Sequence, residues 1–116
     1  MSLSKFNKNK NKFTWEMPEN SPFEKLSTLA EVNGLNKKYV IRGMYINKKG
    51  DFGEQPVVLL DDIFVNLPTH LTDVVYEMLD DEDVIDAING ERAGFKIYTY
   101  KDKNNITRYS VEWIDL

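Results

Sequence analysis

The chain has 116 residues, of which 41% are hydrophobic and 29% charged, with a formal net charge of −4 and no cysteine. This length and composition are typical of a single soluble globular domain, and the lack of cysteine excludes disulfides and thiolate metal sites. No apolar run approaches the roughly 20 residues that a membrane-spanning helix needs. We therefore expect a cytoplasmic protein that makes no membrane contact.

The charges are unevenly distributed along the chain. Residues 60–91 include ten Asp or Glu and no Lys or Arg, so the rest of the chain has fifteen Lys and Arg against nine Asp and Glu. Because electrostatic fields are screened within about 8–10 Å, an acidic protein can still present a basic surface to a polyanion. The acidic stretch is typical of a solvated helix face, and a surface that docks another protein is the alternative.

The first third of the chain has the least regular pattern. Residues 1–12 contain four lysines and no acid, which predicts a disordered basic arm ahead of one globular domain at 13–116. Phe13–Met17 is predicted to be a short strand that docks its aromatic side chains. Residues 23–32 fit either a helix or a bent strand, and the pattern leaves both open.

Two regions of strand-forming residues surround a helical region. Tyr39–Asn47 is rich in β-branched and aromatic residues, and Gly43 in its middle indicates a bend. A hairpin loop at 48–53 leads to a second strand from Pro56, and residues 63–67 continue it or form a third. The last two strands are predicted at 95–100 and 107–114.

The helical region begins near Pro68. Apolar residues at 71, 74, 75, 78 and 79 follow the period of a helix that faces the core. Asp80 or Asp81 is predicted to cap a second short helix, which ends at Asn89-Gly90. This region is therefore a helical hairpin or one helix with a break near residue 80.

The order of these elements predicts a mostly β, α+β fold. A five-stranded antiparallel barrel of the OB type, with a helical insert between strands 3 and 4, fits that order. The alternative is an α+β roll whose antiparallel sheet is covered by helices on one face.

Four short stretches also support a resemblance. They are Gln55–Val58, Val65–Pro68, Gly94–Tyr100 and Tyr109–Trp113. Through them the region 39–113 resembles small, mostly uncharacterised proteins of prophages and mobile elements in Gram-positive bacteria, with a likeness to OB-fold single-stranded-DNA-binding proteins. The resemblance implies a context in replication or maintenance of mobile DNA, and it supplies no catalytic residues.

Aromatic residues next to lysines on the two hairpins predict a surface for single-stranded DNA. On OB-type surfaces bases stack on aromatic side chains while cations contact phosphates, and Lys96, Tyr98 and Tyr100 share one strand face. Tyrosine is also common in ordinary strands. The candidate residues are Arg42, Tyr45, Lys48, Lys49, Phe52, Lys96, Tyr98, Tyr100, Lys101, Lys103 and Arg108.

We therefore predict non-specific binding of single-stranded DNA in phage or mobile-element DNA metabolism. The alternative is a protein–protein interaction module, such as a replication accessory or regulator, that binds no nucleic acid. A replication protein is a second candidate partner, and the sequence is compatible with a homo-oligomer formed through an edge strand.

No pattern indicates catalysis. His70 is the only histidine, and no nucleophile and base occur at a recognisable spacing. The acidic pairs lack the spacing of an EF-hand calcium loop. We expect no enzymatic activity, no cofactor and no metal.

Overall fold

A computed structural model describes residues 13–50 and 53–116. Within these residues, seven strands form two open sheets, and three α-helices pack with the sheets around one hydrophobic core. The fold is α+β overall. The predicted five-stranded antiparallel barrel is wrong, because neither sheet closes on itself and one strand pair is parallel.

The larger sheet has four strands in the order β1-β5-β4-β3. These are β1 (Phe23–Lys25), β3 (Gly43–Gly50), β4 (Gly53–Leu59) and β5 (Phe64–Asn66). The β3–β4 and β4–β5 pairs are antiparallel, whereas β1 lies parallel to β5. A parallel pair needs a long crossover between its strands, which is why a chain of local hairpins did not predict it.

The smaller sheet has three strands in the order β2-β6-β7. The strand β2 (Tyr39–Val40) pairs only with the start of β6 (Ala93–Lys101), and β6 pairs along its full length with β7 (Thr107–Asp115). Residues 98–101 of β6 are all exposed, so side chains on both faces of the strand reach solvent there. The distal half of the β6–β7 hairpin therefore extends past the core.

The predicted strand 39–47 is divided between the two sheets. The Ile41 N–H donates to the Ala93 carbonyl at 3.0 Å, whereas the next N–H, of Arg42, donates to the Leu59 carbonyl at 2.7 Å. The chain thus leaves the smaller sheet and enters the larger one between these two residues. Gly43 follows the switch, and a Cβ there would lie 3.3 Å from the Phe13 ring. The bend predicted at Gly43 separates two sheets rather than turning the corner of a barrel.

The ambiguous segment 23–32 contains a strand and a helix. After β1, the helix α1 runs over Leu26–Asn33 and buries Leu26 and Leu29. Val32, which shares their helical spacing, is 75% exposed because the helix passes the edge of the core there. The short strand predicted at Phe13–Met17 does not form, although Phe13 does pack against the core.

The acidic region folds as a helical hairpin. A 3₁₀ turn at Thr69–Leu71 leads into α2 (Thr72–Leu79), and α3 (Glu82–Asn89) follows after a break at residues 80–81. The Asp81 carboxylate accepts the Asp83 N–H at 2.9 Å, which confirms the predicted N-cap. The helix ends as predicted, but the left-handed residue that follows is Glu91, with φ of 61°, and not Gly90.

The core lies between the two sheets and the helices. Its most buried side chains include Val58 and Val65 of the larger sheet, Phe95 of the smaller, Val75 of α2 and Ile88 of α3. None of the helices in the described ranges has the length and apolar character to cross a membrane.

Candidate nucleic-acid interface

The predicted site residues fall into three groups in the structure. Arg42 lies at the switch between the sheets, and Tyr45, Lys48 and Lys49 lie on β3. Phe52 is outside the described residues. The remaining candidates all belong to the β6–β7 hairpin, namely Lys96, Tyr98, Tyr100, Lys101, Lys103 and Arg108. The open two-sheet fold does not frame one groove between the two hairpins, as an OB barrel would.

Arg42 is engaged inside the protein. Its Nε donates to Asp61 Oδ1 at 2.7 Å, and its Nη1 donates to Glu91. The guanidinium carbon also lies 4.5 Å from the centre of the Trp15 ring, and only 18% of the side chain is exposed. The bond to Asp61 is the main reason that the pKa of Arg42 is raised. Because two carboxylates already neutralise this cation, we assign it to holding the sheet switch in place.

Tyr45 belongs to an aromatic cluster on the outer face of the larger sheet. The rings of Phe23 and Phe64 stack with centroids 4.6 Å apart, and Tyr45 meets Phe64 edge to face at 6.4 Å. Burial raises the pKa of Tyr45, whereas Phe23 is 52% exposed. The sequence did not indicate this cluster, because it depends on the parallel pairing of β1 with β5.

The end of β3 provides two exposed lysines, but acids lie close to them. Lys48 and Tyr45 line a hollow of about 390 Å³ together with Asp80 of the acidic hairpin. Across the β3–β4 hairpin, Glu54 accepts a hydrogen bond from the Tyr76 hydroxyl. These carboxylates reduce the positive field of this hairpin, so it is a weaker candidate for phosphate contacts than the β6–β7 hairpin.

The β6–β7 hairpin presents two adjacent tyrosine rings. Tyr98 and Tyr100 are two residues apart on one strand, and their centroids lie 6.1 Å apart at an interplanar angle of 40°. Their exposed fractions are 43% and 39%. The residues directly opposite them on β7 are Ser110 and Arg108. The hairpin therefore offers a pair of aromatic faces to solvent with a guanidinium beside them.

Charge on this hairpin is mostly positive. Between residues 96 and 112 there are four cations, Lys96, Lys101, Lys103 and Arg108, and two carboxylates, Asp102 and Glu112. Glu112 stands opposite Lys96 on the neighbouring strand. Lys103 is exposed in the loop, and Lys101 Nζ donates to Thr107 Oγ1 at 2.6 Å.

Asp102 organises the loop that joins the two strands. Its Oδ1 accepts the N–H groups of Asn104 and Ile106 at 2.8 and 3.0 Å, and its Oδ2 accepts Arg108 Nε at 2.9 Å. The Ile106 bond is the largest of the causes that lower the pKa of this carboxyl. The carboxylate is thus used within the loop, where it orients Arg108, whose side chain remains 54% exposed.

The described part of the chain offers no metal centre. No three His, Cys, Asp or Glu side chains there are grouped so that they could hold a metal ion. Comparisons of the chain with protein families, with curated proteins and with solved structures found no match.

Proposed function

We propose that the β6–β7 hairpin binds single-stranded DNA without sequence preference. Bases stack on Tyr98 and Tyr100, and the phosphates lie against Lys101, Lys103 and Arg108. The observation that supports this most directly is the exposed tyrosine pair, whose rings stand side by side among four cations on a hairpin that extends past the core. Aromatic faces framed by cations are the usual means of binding single strands, because every base has a face that can stack.

The expected affinity follows from the two kinds of contact. Each base stacked on an aromatic side chain contributes about 1–3 kcal/mol, so two rings supply roughly 2–6 kcal/mol. Each neutralised phosphate adds a term that weakens with salt, with a slope of about −0.7 per phosphate for single strands. Non-specific binding with a Kd of about 10⁻⁴ to 10⁻⁶ M at physiological salt is the result we expect.

The proposed setting is DNA metabolism of a phage or mobile element in the cytoplasm. The resemblance described from the sequence supports this context. The stretches that carry it include Gly94–Tyr100 and Tyr109–Trp113, which form most of the β6–β7 hairpin. A replication protein acting on the same strand is the partner that this context suggests.

The proposal is tested by fluorescence anisotropy of a labelled oligo(dT) at several salt concentrations. Tyr98→Ala should weaken binding, whereas Thr99→Ala should not, because Thr99 is exposed on the opposite face of the same strand. The proposal is rejected if the wild-type protein does not bind at low salt, or if the two variants bind equally well.

One observation favours protein docking as a second candidate function. A cavity of about 440 Å³ lies between α3 and the beginning of β6, with Val84, Ile88 and Trp113 in its walls and Asp83 and Asp115 at polar positions. This chemistry suits an apolar side chain next to a basic group on a protein partner. Binding of a basic amphipathic peptide that shifts tryptophan fluorescence and is lost in Val84→Asp would support it, and binding unaffected by that substitution would reject it.

A further inference from the structure

A cleft lies next to the tyrosine pair, between the 3₁₀ turn and the hairpin. Its volume is about 430 Å³, and Tyr100 forms part of its wall, so it continues directly from the proposed stacking surface. The other side chains that line it include those of Thr69, His70, Thr107, Arg108 and Tyr109.

The lining of this cleft suits an anion. Among the described residues it contains an arginine, a histidine, two threonines and two tyrosines, and neither Asp nor Glu. Guanidinium, imidazole and hydroxyl groups all donate hydrogen bonds to phosphate oxygens. The hollow beside Lys48 and the cavity beside α3, by comparison, each include carboxylates.

Arg108 is held in position for such a contact. Its Nε donates to Asp102, and that carboxylate is fixed by two loop N–H groups. Because Nε is used in this bond, the two Nη groups at the end of the guanidinium are the ones left to meet a ligand, and the side chain is 54% exposed. A guanidinium with a fixed orientation loses less side-chain entropy on binding a phosphate.

The other donors come from both sides of the cleft. Thr107 Oγ1 accepts a hydrogen bond from Lys101 Nζ, so its own hydroxyl hydrogen is available to donate. On the facing side, His70 Nε2 lies 3.5 Å from Ser110 Oγ, which places the imidazole against β7. Ser110 is almost fully buried, so Nε2, on the outer side of the ring, faces the interior, and Nδ1 is the imidazole nitrogen left to meet a ligand.

We propose that this cleft binds a phosphate of the strand whose bases stack on Tyr98 and Tyr100. Arg108 supplies the charge, and His70 and Thr107 supply hydrogen bonds from opposite sides. The inference rests on the proposed function, since the strand that brings the phosphate is the one bound by the tyrosines. The cleft thus holds the DNA backbone at one point, whereas stacking on the two tyrosines alone allows the strand to slide.

NMR of the single histidine tests this directly. His70 is the only histidine in the chain, so its imidazole carbon-bound protons give one assignable set of signals. We expect oligo(dT) and thymidine monophosphate to shift these signals, and thymidine, which lacks the phosphate, to leave them in place. The shifts should be lost in Arg108→Gln but retained in Lys38→Gln, a matched loss of charge at an exposed residue outside both the hairpin and the cleft lining.

The outcomes separate this inference from the proposed function. If oligo(dT) binds through Tyr98 but leaves the His70 signals unchanged, the cleft proposal is overturned and DNA binding stands. If thymidine monophosphate shifts the signals but oligo(dT) does not bind, the phosphate site stands and the strand-binding function fails. If oligo(dT) does not bind and neither probe shifts the His70 signals, both are overturned. In anisotropy, Arg108→Gln should also reduce the salt slope by about 0.7, one single-strand phosphate contact.

Discussion

Gly94→Ala tests how the two sheets are joined. Gly94 lies opposite Val40 in the β2–β6 pair, and a Cβ at residue 94 would be 2.4 Å from the Tyr39 carbonyl oxygen. That oxygen belongs to the backbone and cannot rotate away. The substitution must therefore displace β2 from β6, which also separates the Tyr39 and Phe95 rings, now stacked with centroids 5.1 Å apart.

The magnitude follows from the contacts that this displacement affects. Overpacking costs about 1–3 kcal/mol, and weakening the hydrogen bonds of a two-residue strand adds about 1 kcal/mol. Replacing glycine lowers the entropy of the unfolded chain, which offsets roughly 0.4–1 kcal/mol. We expect a net loss of about 2 kcal/mol, or a decrease in Tm of roughly 8 °C for a domain of this size.

Urea unfolding monitored by tryptophan fluorescence measures the loss. Gly43→Ala is the matched control, because a Cβ there would lie 3.3 Å from the Phe13 ring and 3.4 Å from the Leu59 side chain. Those atoms can move by a few tenths of an ångström, so a change below about 1 kcal/mol is expected. Equal losses in the two variants would refute the close approach of β2 to Gly94.

Three further predictions concern single polar groups. Arg42→Met removes one ring contact and two ion pairs, whose carboxylates are more than half exposed. It should lower the free energy of unfolding, measured by urea denaturation, by about 2 kcal/mol. No change would show that these contacts do not form in solution. Asp81→Ala removes the N-cap of α3 and should lower the free energy of unfolding by about 1 kcal/mol. Asp86→Ala, at an exposed position inside the same helix, should lower it by less, and an equal loss in the two variants would contradict the cap. The Ile106 N–H is the main reason that the pKa of Asp102 is lowered from 3.8, so the stability that this carboxylate provides is complete above pH 3.8 and is lost as the pH falls through the lower folded pKa. The chemical shift of the Ile106 amide should therefore titrate with a midpoint below 3.8. A midpoint at or above 3.8 would contradict the loop geometry.

The parts of the fold that depend on local pattern were predictable from the sequence. The apolar period places α2, and the Asp81 cap marks the start of α3 after the break near residue 80. The alternation of residues 107–114 predicts β7. In each case the signal lies within about ten consecutive residues, and the tertiary structure does not override it.

The parts that depend on distant pairing were not predictable. Strand patterns show that a segment is extended but not which strand it pairs with, so the β1–β5 parallel pair and the division of strand 39–47 between two sheets were missed. The barrel followed from assuming that neighbouring strands pair in order. The 75% exposure of Val32 was not predictable either, because helical spacing does not show where the core ends in the folded chain.

In the candidate site, too, local features were predictable from the sequence and contacts between distant residues were not. That Tyr98 and Tyr100 share a strand face was evident from their spacing, and the structure places their rings side by side. Arg42 resembled a surface cation, because nothing in the sequence shows that Asp61 and Glu91 meet at its guanidinium. The role of His70 in the cleft was not predicted either, since residue 70 meets β7 only in the folded chain.

The central claim is that bases stack on the β6–β7 hairpin, and Tyr98 tests it most directly. The measurement is the Kd for a labelled oligo(dT), by anisotropy at fixed low salt, for wild type, Tyr98→Phe and Tyr98→Ala. Phenylalanine keeps the aromatic face, so we expect near-wild-type affinity, whereas alanine should weaken binding about 5- to 150-fold, the equivalent of about 1–3 kcal/mol. Equal binding by the phenylalanine and alanine variants would contradict stacking at this position and with it the proposed mechanism.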